Sequence, residues 1–331
     1  MIEISGLTKR YGPHTVLDNI DFTVESGSIA AVVGRSGAGK STLFRCVNLL
    51  ERPTSGTVRV DGQELTHLPG RELRVARRKI GTVFQSANLL RRLTAAQNVA
   101  LPLRFLRLPD DEIQQRVYDL LKRVGMLNRA NHYPAQLSGG QRQRIGIARG
   151  LATRPSVLLS DEATSGLDPE TTRSILRLLT ELRDDLGVTM VVITHEMDVV
   201  RSVADVVAHL EHGQIVEHGR VGEIVRRSDS QLATALLPSE PAPAPVDGEV
   251  VWQLRYSDAT VDPNWLSRVS RELDTDIALL SGLIETVGGD QAGRLTVRVS
   301  AALSPTAVAG AFAAYGIHAQ VASPTEELVA S

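Results

Sequence analysis

The sequence predicts an α/β domain followed by a smaller α+β domain. Short β-branched runs alternate with longer helical patterns as far as residue 237, and a proline-rich segment follows. Beyond that segment, strand and helix patterns come in the order βαββαβ. We therefore predict domains at residues 1–237 and 250–323, joined by a linker at 238–249 and ending in a tail at 324–331.

In the first part, the apolar runs are too short for helices and are bounded by turn residues. Ile29–Val33, Ser156–Ser160 and Val188–Thr194 are predicted as buried strands, and Glu170–Leu186 as an amphipathic helix. Pro238–Gly248 contains four prolines, which exclude a helix interior and favour an extended spacer.

The second part has the element order of a ferredoxin-like domain. Leu295, Val297 and Val299 alternate with polar residues, so we expect one covered sheet face, with both helices packed on it. The predicted elements are strand Val250–Arg255, helix Pro263–Leu273, strands Ile277–Val287 and Arg294–Val299, helix Pro305–Tyr315 and strand Ile317–Val321.

Composition excludes several classes of protein. The chain has 36 basic and 38 acidic residues and a net charge of −2, so an extended nucleic-acid-binding surface is not expected. Its one cysteine, Cys46, cannot form an internal disulfide, which favours a reducing compartment. The first residues lack an export signal, and no apolar run approaches the roughly 20 residues of a membrane span. We expect an intracellular protein that reaches a membrane only through a partner.

A phosphate-binding loop follows the first buried strand. The run GRSGAGKS fits G-x-x-x-x-G-K-[ST] between a strand and a helix, the context that this motif requires. Lys40 is predicted to bridge the β- and γ-phosphates, and Ser41 to ligate Mg²⁺ beside Thr42. The alternative is a glycine-rich turn with an exposed lysine. The candidate binding residues are Gly34, Arg35, Ser36, Gly37, Ala38, Gly39, Lys40, Ser41 and Thr42.

Two carboxylates end the apolar strand at residues 156–160. In α/β sheets the carboxyl ends of strands face the ligand, so Asp161 is predicted to anchor Mg²⁺ and Glu162 to polarise water. An acidic helix cap is the alternative. A second helix start suited to an anion follows Leu137, at Ser138, Gly139, Gly140 and Gln141.

GRSGAGKST, LSGGQRQR and LLSDEATSGLDP, in this order, resemble the nucleotide-binding subunits of ATP-binding-cassette (ABC) transporters over residues 1–237. The resemblance implies an ABC-type domain with a helical subdomain, and ATP and Mg²⁺ as cofactors. It also implies that Tyr11 stacks on adenine and that Gln85 touches Mg²⁺ or its water and senses the γ-phosphate. It further implies that His195 contacts the γ-phosphate and that Asp168 belongs to the site.

In that family, the LSGGQ string of one subunit closes over the nucleotide held by another. The resemblance therefore implies a head-to-tail homodimer with two ATP molecules at its interface. The segment from Gln85 to Phe105 resembles the region of importer ATPases that grips the permease, although a plain surface loop and helix remains the alternative. A nearby basic run is predicted to form a solvated helix face; the alternative is that this face lies near lipid headgroups. The run consists of Arg71, Arg74, Arg77, Arg78 and Lys79.

RCVNLLERPTSG and HEMDVVRSVADVVAHLEHGQIVEHG resemble the bacterial methionine-importer ATPases, which carry a C-terminal NIL domain that binds methionine. The implied function is ATP hydrolysis at the cytoplasmic face of the cell membrane, coupled through permease subunits and an external solute-binding protein to methionine import. The alternatives are an importer of another amino acid or small peptide, a soluble non-transport ABC ATPase, and an amino-acid sensor with a vestigial ATPase.

The C-terminal domain departs from its family at one position. The Asn-Ile-Leu string that names the NIL domain corresponds here to Ala278-Leu279-Leu280. The side chain of Ala278 cannot hydrogen-bond a ligand. We therefore expect the domain to respond weakly to methionine, or to bind a different ligand. In the alternative, backbone groups with Asp276 or Ser281 do the binding.

Overall fold

The computed structural model describes residues 1–227, 230–237, 248–257, 261–287 and 290–322. The chain divides into two compact units, residues 1–219 and 220–331. Except for Gly248 and Glu249, the predicted linker lies outside the described residues, as does the whole predicted tail. The predicted domain boundaries therefore stay predictions.

The first unit contains two sheets and most of the helices. In chain order its elements are β1 (Ile2–Tyr11), β2 (His14–Val24), β3 (Ile29–Val33), α1 (Lys40–Val47), β4 (Ser55–Val60), β5 (Gln63–Glu64), α2 (Gly70–Ala76), β6 (Ile80–Val83), α3 (Ala95–Phe105), α4 (Asp110–Arg123), α5 (Gly139–Gly150), β7 (Val157–Asp161), α6 (Pro169–Leu186), β8 (Thr189–Thr194), α7 (Met197–Val203), β9 (Val206–Glu211) and β10 (Gln214–Arg220).

The larger sheet has the strand order β10-β9-β3-β8-β7-β6 and is parallel from β9 to β6. The smaller sheet is antiparallel, with the order β2-β1-β4-β5. Because the parallel strands end at the same edge, the residues that follow β3, β6, β7 and β8 are brought together there. The three strands predicted from apolar runs in the first part are confirmed within one residue at each end.

The parallel strands are buried on both faces, which is why they read as continuous apolar runs. Ala30, Val32 and Ile193 pack with α1 and the antiparallel sheet in one core. Ile29, Met190 and Val192, at alternate positions, pack with α3, α4, α5 and α6 in a second core. The phosphate loop and the acidic strand end are thus held between two apolar layers.

The second unit contains a four-stranded antiparallel sheet in the order β12-β13-β11-β14. Its elements are α8 (Val221–Arg226), α9 (Gln231–Leu236), β11 (Glu249–Ser257), α10 (Trp265–Glu272), β12 (Ala278–Val287), β13 (Asp290–Ser300), α11 (Pro305–Ala313) and β14 (His318–Val321). The predicted order βαββαβ is confirmed from β11 to β14. Leu295, Val297 and Val299 pack against Trp265 and Phe312 of the two helices, as their alternation predicts.

The opposite face of this sheet differs from the expectation of a single covered face. Arg294 and Thr296 are buried there, 5% and 2% exposed. Arg294 donates from Nη1 to the carbonyl of Leu237 and, at 3.4 Å, to that of Thr234. The C-terminal end of α9 therefore covers part of this face, and burial lowers the pKa of Arg294 to about 10, with Arg255 adding repulsion.

Candidate functional site

The phosphate loop connects β3 to α1, and two of its glycines are required by geometry. Gly39 has φ 107°, and a Cβ there would lie 2.9 Å from Leu17 Cδ2. A Cβ on Gly34 would lie 2.2 Å from the carbonyl oxygen of Leu210. Only glycine fits both positions, so the backbone can curl with its N–H groups toward one centre.

Lys40 is the first residue of α1 and is 8% exposed. Its Nζ donates to the carbonyl oxygens of Gly34 at 2.7 Å and Arg35 at 3.0 Å. The loop thus holds an ammonium group at its own centre. A positive charge enclosed by backbone dipoles at a helix N-terminus is an anion-binding arrangement.

Asp161 and Glu162 lie at the carboxyl end of β7. The amide of Glu162 donates to the carbonyl of Ile193 at 2.9 Å, which ties the turn to neighbouring β8. Glu162 has φ 46°, and its Oε1 lies 3.1 Å from Nδ1 of His195, the first residue after β8. Burial, followed by repulsion from Glu162, raises the pKa of Asp161, while Arg45 and Lys40 oppose the rise. Two carboxyl groups in unequal environments are thus set side by side beside an imidazole.

Gln85 follows β6 and completes this edge of the sheet. Its Nε2 lies 3.4 Å from the hydroxyl of Ser165, in the turn after Glu162. The preceding residue, Phe84, is fixed by α5, because Gln143 donates from Nε2 to its carbonyl at 3.0 Å. The position of Gln85 therefore depends on two other motifs.

One cavity of about 740 Å³ joins these groups. Most of the predicted site residues line it. They are Arg35, Ser36, Gly37, Gly39, Lys40, Ser41, Thr42, Gln85, Asp161, Glu162 and His195. Gly34 and Ala38 belong to the loop without lining the cavity. Val16 of β2 also lines it and was missed by sequence reasoning, because a lone apolar residue in an alternating strand carries no signal.

Tyr11 ends β1 and is 42% exposed. Its hydroxyl donates to the carboxylate of Glu51, and the hydroxyl of Thr42, a cavity residue, also interacts with it. The predicted aromatic platform therefore lies next to the phosphate loop. Glu51, which fixes it, was not predicted, because no motif joins two residues so far apart in sequence.

The predicted LSGGQ residues are placed elsewhere. Ser138 caps α5: its hydroxyl accepts a hydrogen bond from the backbone N–H of Gln141 at 3.3 Å. In return, Gln141 Oε1 accepts from the backbone N–H of Ser138 at 2.9 Å. Asp168 caps α6 by accepting from the Thr171 amide at 2.9 Å. None of the residues 138–141 or Asp168 lines the cavity of this chain. In a single chain, the second predicted anion-binding helix start does not meet the first.

Asp161 lowers the stability of the folded chain while it is ionised. A carboxyl group whose pKa is raised by folding favours the folded state less as the pH rises through its titration range. We expect Asp161→Asn to melt above wild type at neutral pH without nucleotide. Differential scanning calorimetry measures this.

Asp61→Asn is the matched control. Although burial raises the pKa of Asp61, hydrogen bonds from Ser156 and the amino terminus outweigh it and leave the pKa lowered. Its ionised form therefore stabilises the fold at neutral pH, and its loss should lower the melting temperature. A lower melting temperature for Asp161→Asn as well would contradict the assigned effects of burial and of repulsion from Glu162.

Two family models match the chain: that of the ABC transporter over residues 17–165 and that of the NIL domain over residues 250–315. The methionine import ATP-binding protein of Rhodococcus jostii is 52% identical over 322 residues, which cover 96% of this chain and 95% of that protein. The counterpart in Streptomyces avermitilis is 50% identical, covering 90% of this chain and 89% of that protein.

Solved structures match about two thirds of the chain. One is an ATP-binding cassette in a dimeric post-hydrolysis state bound to ADP and Pi; it is 37% identical, with a TM-score of 0.61, and the match covers 66% of this chain and 98% of that chain. Another, from Clostridium perfringens, is part of the cbiONQ ABC transporter complex; it is 32% identical, with a TM-score of 0.63 over 66% of this chain and 88% of that chain. The predicted resemblance and fold class are confirmed.

Proposed function

The chain belongs to the family of ABC transporter ATP-binding proteins, and we propose that it is the ATP-hydrolysing subunit of a methionine importer. The observation that carries the proposal is identity of 46–52% to several methionine import ATP-binding proteins along most of the chain, including both matched domains. The chemistry of the cavity agrees with it, because it joins a phosphate loop to a carboxylate pair and a histidine.

Lys40 and the loop amides hold the ATP phosphates. Their charge and dipoles act on bound ATP and on the transition state alike. Glu162 orients and polarises the attacking water and receives its proton. His195, 3.1 Å from Glu162, keeps that carboxylate in place and contacts the γ-phosphate. Gln85 reports the state of the γ-phosphate to the elements packed on its loop.

Mg²⁺ fits the donor set of the cavity. Ser41 and Asp161 bring oxygen ligands, and the Gln85 amide supplies a third. Such hard oxygen donors are those that Mg²⁺ takes, and a dication would favour the ionised form of Asp161, whose pKa is raised first by burial and then by repulsion from Glu162. When bound, the ion neutralises charge on the β- and γ-phosphates.

The active unit is a head-to-tail homodimer. In one chain the cavity lacks Ser138, Gly139, Gly140, Gln141 and Asp168, yet the capped start of α5 presents N–H groups suited to phosphate. A second copy brings that helix start to the γ-phosphate. ATP then favours closure through contacts that ADP lacks, and hydrolysis releases them.

The subunit works at the cytoplasmic face of the membrane through a permease, with an external solute-binding protein delivering methionine. Among the described residues, no helix is both long and apolar enough to cross a bilayer.

A cavity of about 400 Å³ between α2, α3 and α5 offers a docking groove with an apolar wall and a basic rim. Phe84, Pro102 and Phe105 belong to the wall, and Arg74, Arg77 and Arg78 to the rim.

Co-purification tests this assignment. A tagged chain expressed in its own cells should isolate a polytopic membrane protein, and ATPase activity of that complex should depend on methionine and its binding protein. Isolation without any membrane protein would instead favour a soluble ABC ATPase.

The C-terminal domain responds weakly to methionine. Ala278 opens edge strand β12 opposite Arg298, whose Nη1 is paired with Glu249 at 2.8 Å. The methyl group of Ala278 offers a ligand no hydrogen bond. A buried polar group of the ligand that lacks a hydrogen-bond partner costs about 1–3 kcal/mol, or roughly ten- to a hundredfold in affinity.

We expect Ala278→Asn to shift inhibition of the transporter ATPase to about tenfold lower methionine. Ala302→Asn, at an exposed position in the turn after β13, is the control and should shift nothing. Strong inhibition of the wild type that Ala278→Asn leaves unchanged would show that the missing asparagine does not matter.

A further inference from the structure

Glu51 connects Tyr11 to the helix that follows the phosphate loop. Its Oε2 accepts the Tyr11 hydroxyl hydrogen bond, and its Oε1 accepts from Arg45 Nη1 at 3.2 Å. Lys9 Nζ lies 3.8 Å from the same carboxylate. Tyr11 ends β1, while Arg45 lies within α1. One carboxylate therefore joins the aromatic side chain at the cavity edge to the phosphate-binding element.

Lys9 fixes which ring face of Tyr11 remains available. Its Nζ lies 4.9 Å from the ring centroid, a cation–π distance, and also donates to the carbonyl of Arg52 at 2.8 Å. The ammonium covers one face of the ring. A base can then stack only on the other face, and Tyr11 as a whole is still 42% exposed.

The protonation states agree with this geometry. The hydrogen bond from Tyr11 lowers the pKa of Glu51; burial opposes this, but Arg45 and Lys9 also lower the pKa, which stays below its usual value. The same hydrogen bond raises the pKa of Tyr11. Glu51 therefore remains a carboxylate acceptor, and Tyr11 remains a phenol donor, throughout the neutral range.

We infer that Glu51 is a positioning residue for the purine base of the nucleotide: it holds the Tyr11 ring in the orientation that stacks on adenine. The inference rests on the proposed role of Tyr11. Without Glu51 the ring can leave this orientation. ATP binding must then offset the conformational entropy that is lost when the ring becomes ordered. Turnover at saturation does not depend on Glu51, because this residue is not among those that line the cavity.

The first test compares steady-state ATPase kinetics. Glu51→Ala should raise KM for ATP about three- to tenfold with little change in kcat, while Glu51→Gln, which still accepts the phenol hydrogen bond, should restore a KM near that of wild type. Tyr11→Phe should raise KM similarly. The double variant Tyr11→Phe/Glu51→Ala should have a KM no higher than that of either single variant. Glu64→Ala is the matched control, since Glu64 contacts Arg59 and His67 but not Tyr11.

The second test separates the base from the phosphates. The inhibition constant of inorganic triphosphate with Mg²⁺, a probe without a base, should be unchanged in Glu51→Ala. An equal loss for triphosphate and ATP would show that Glu51 acts through Arg45 on the phosphate loop and would overturn the inference. If Tyr11→Ala raises KM and Glu51→Ala does not, only the role of Glu51 fails. If Tyr11→Ala leaves KM unchanged, the proposed platform fails as well.

Discussion

Glu162→Gln should lower the ATPase rate by about 10²-fold or more while ATP still binds, because a positioned general base contributes on the order of 10²–10⁴-fold. The amide keeps the size of the side chain and its contact distance to His195, but it cannot take a proton from water. Phosphate release in a coupled assay measures the rate, and calorimetry measures ATP affinity.

The same variant should accumulate as a dimer. Because ATP closes the two subunits and is not consumed, size-exclusion chromatography with Mg-ATP should show a dimer that is absent with ADP. Combining Lys40→Ala with Glu162→Gln is the control and should stay monomeric at an ATP concentration that saturates only Glu162→Gln, since loss of the lysine weakens ATP binding. Wild-type turnover by Glu162→Gln would contradict the role assigned to this carboxylate.

Lys40→Ala should lose ATP affinity instead. The lysine places its charge at the centre of the loop, 2.7 Å from the Gly34 carbonyl, and that charge meets the phosphates of bound ATP. Loss of a charge-assisted hydrogen bond costs about 1.5–3 kcal/mol, or roughly ten- to a hundredfold in affinity. Calorimetric titration with Mg-ATP measures the change.

Lys79→Ala is the matched control for this variant. Lys79 is exposed, its Nζ lies 3.3 Å from Gln63, and it does not line the cavity. Its ATP affinity should equal that of wild type, and a thermal melt should show that Lys40→Ala is folded. Equal ATP affinities for Lys40→Ala and Glu162→Gln would contradict the division of roles between the two residues.

Local patterns were sufficient to predict most of the cavity. A phosphate loop is a continuous run between a strand and a helix, and Asp161 and Glu162 lie at the carboxyl end of a buried strand, so the parallel sheet alone brings the loop and the two carboxylates together. The contacts that hold Tyr11 and Gln85 could not be predicted in this way. Glu51 contacts Tyr11, and Gln143 contacts Phe84, the residue before Gln85, across long sequence separations that neither periodicity nor motif spacing encodes.

The second unit shows the same limit. The alternation of Leu295, Val297 and Val299 predicts the face that α10 and α11 cover, because burial imposes a period of two on a strand. Arg294, which precedes Leu295, has the pattern of an exposed position, yet it is buried because its guanidinium binds the carbonyl end of α9. An arginine that satisfies helix carbonyls has the same sequence signature as an arginine in water.

Methionine uptake by cells tests the central claim most directly. In a strain from which the gene is deleted, uptake of radiolabelled methionine at low external concentration should fall, and the wild-type gene should restore it. The Glu162→Gln gene, expressed to the same level, should not restore it, because uptake requires hydrolysis. Two results would contradict ATP-driven methionine import by this protein. One is undiminished uptake when the gene is deleted from a strain that has no other methionine importer. The other is full restoration of uptake by the Glu162→Gln gene.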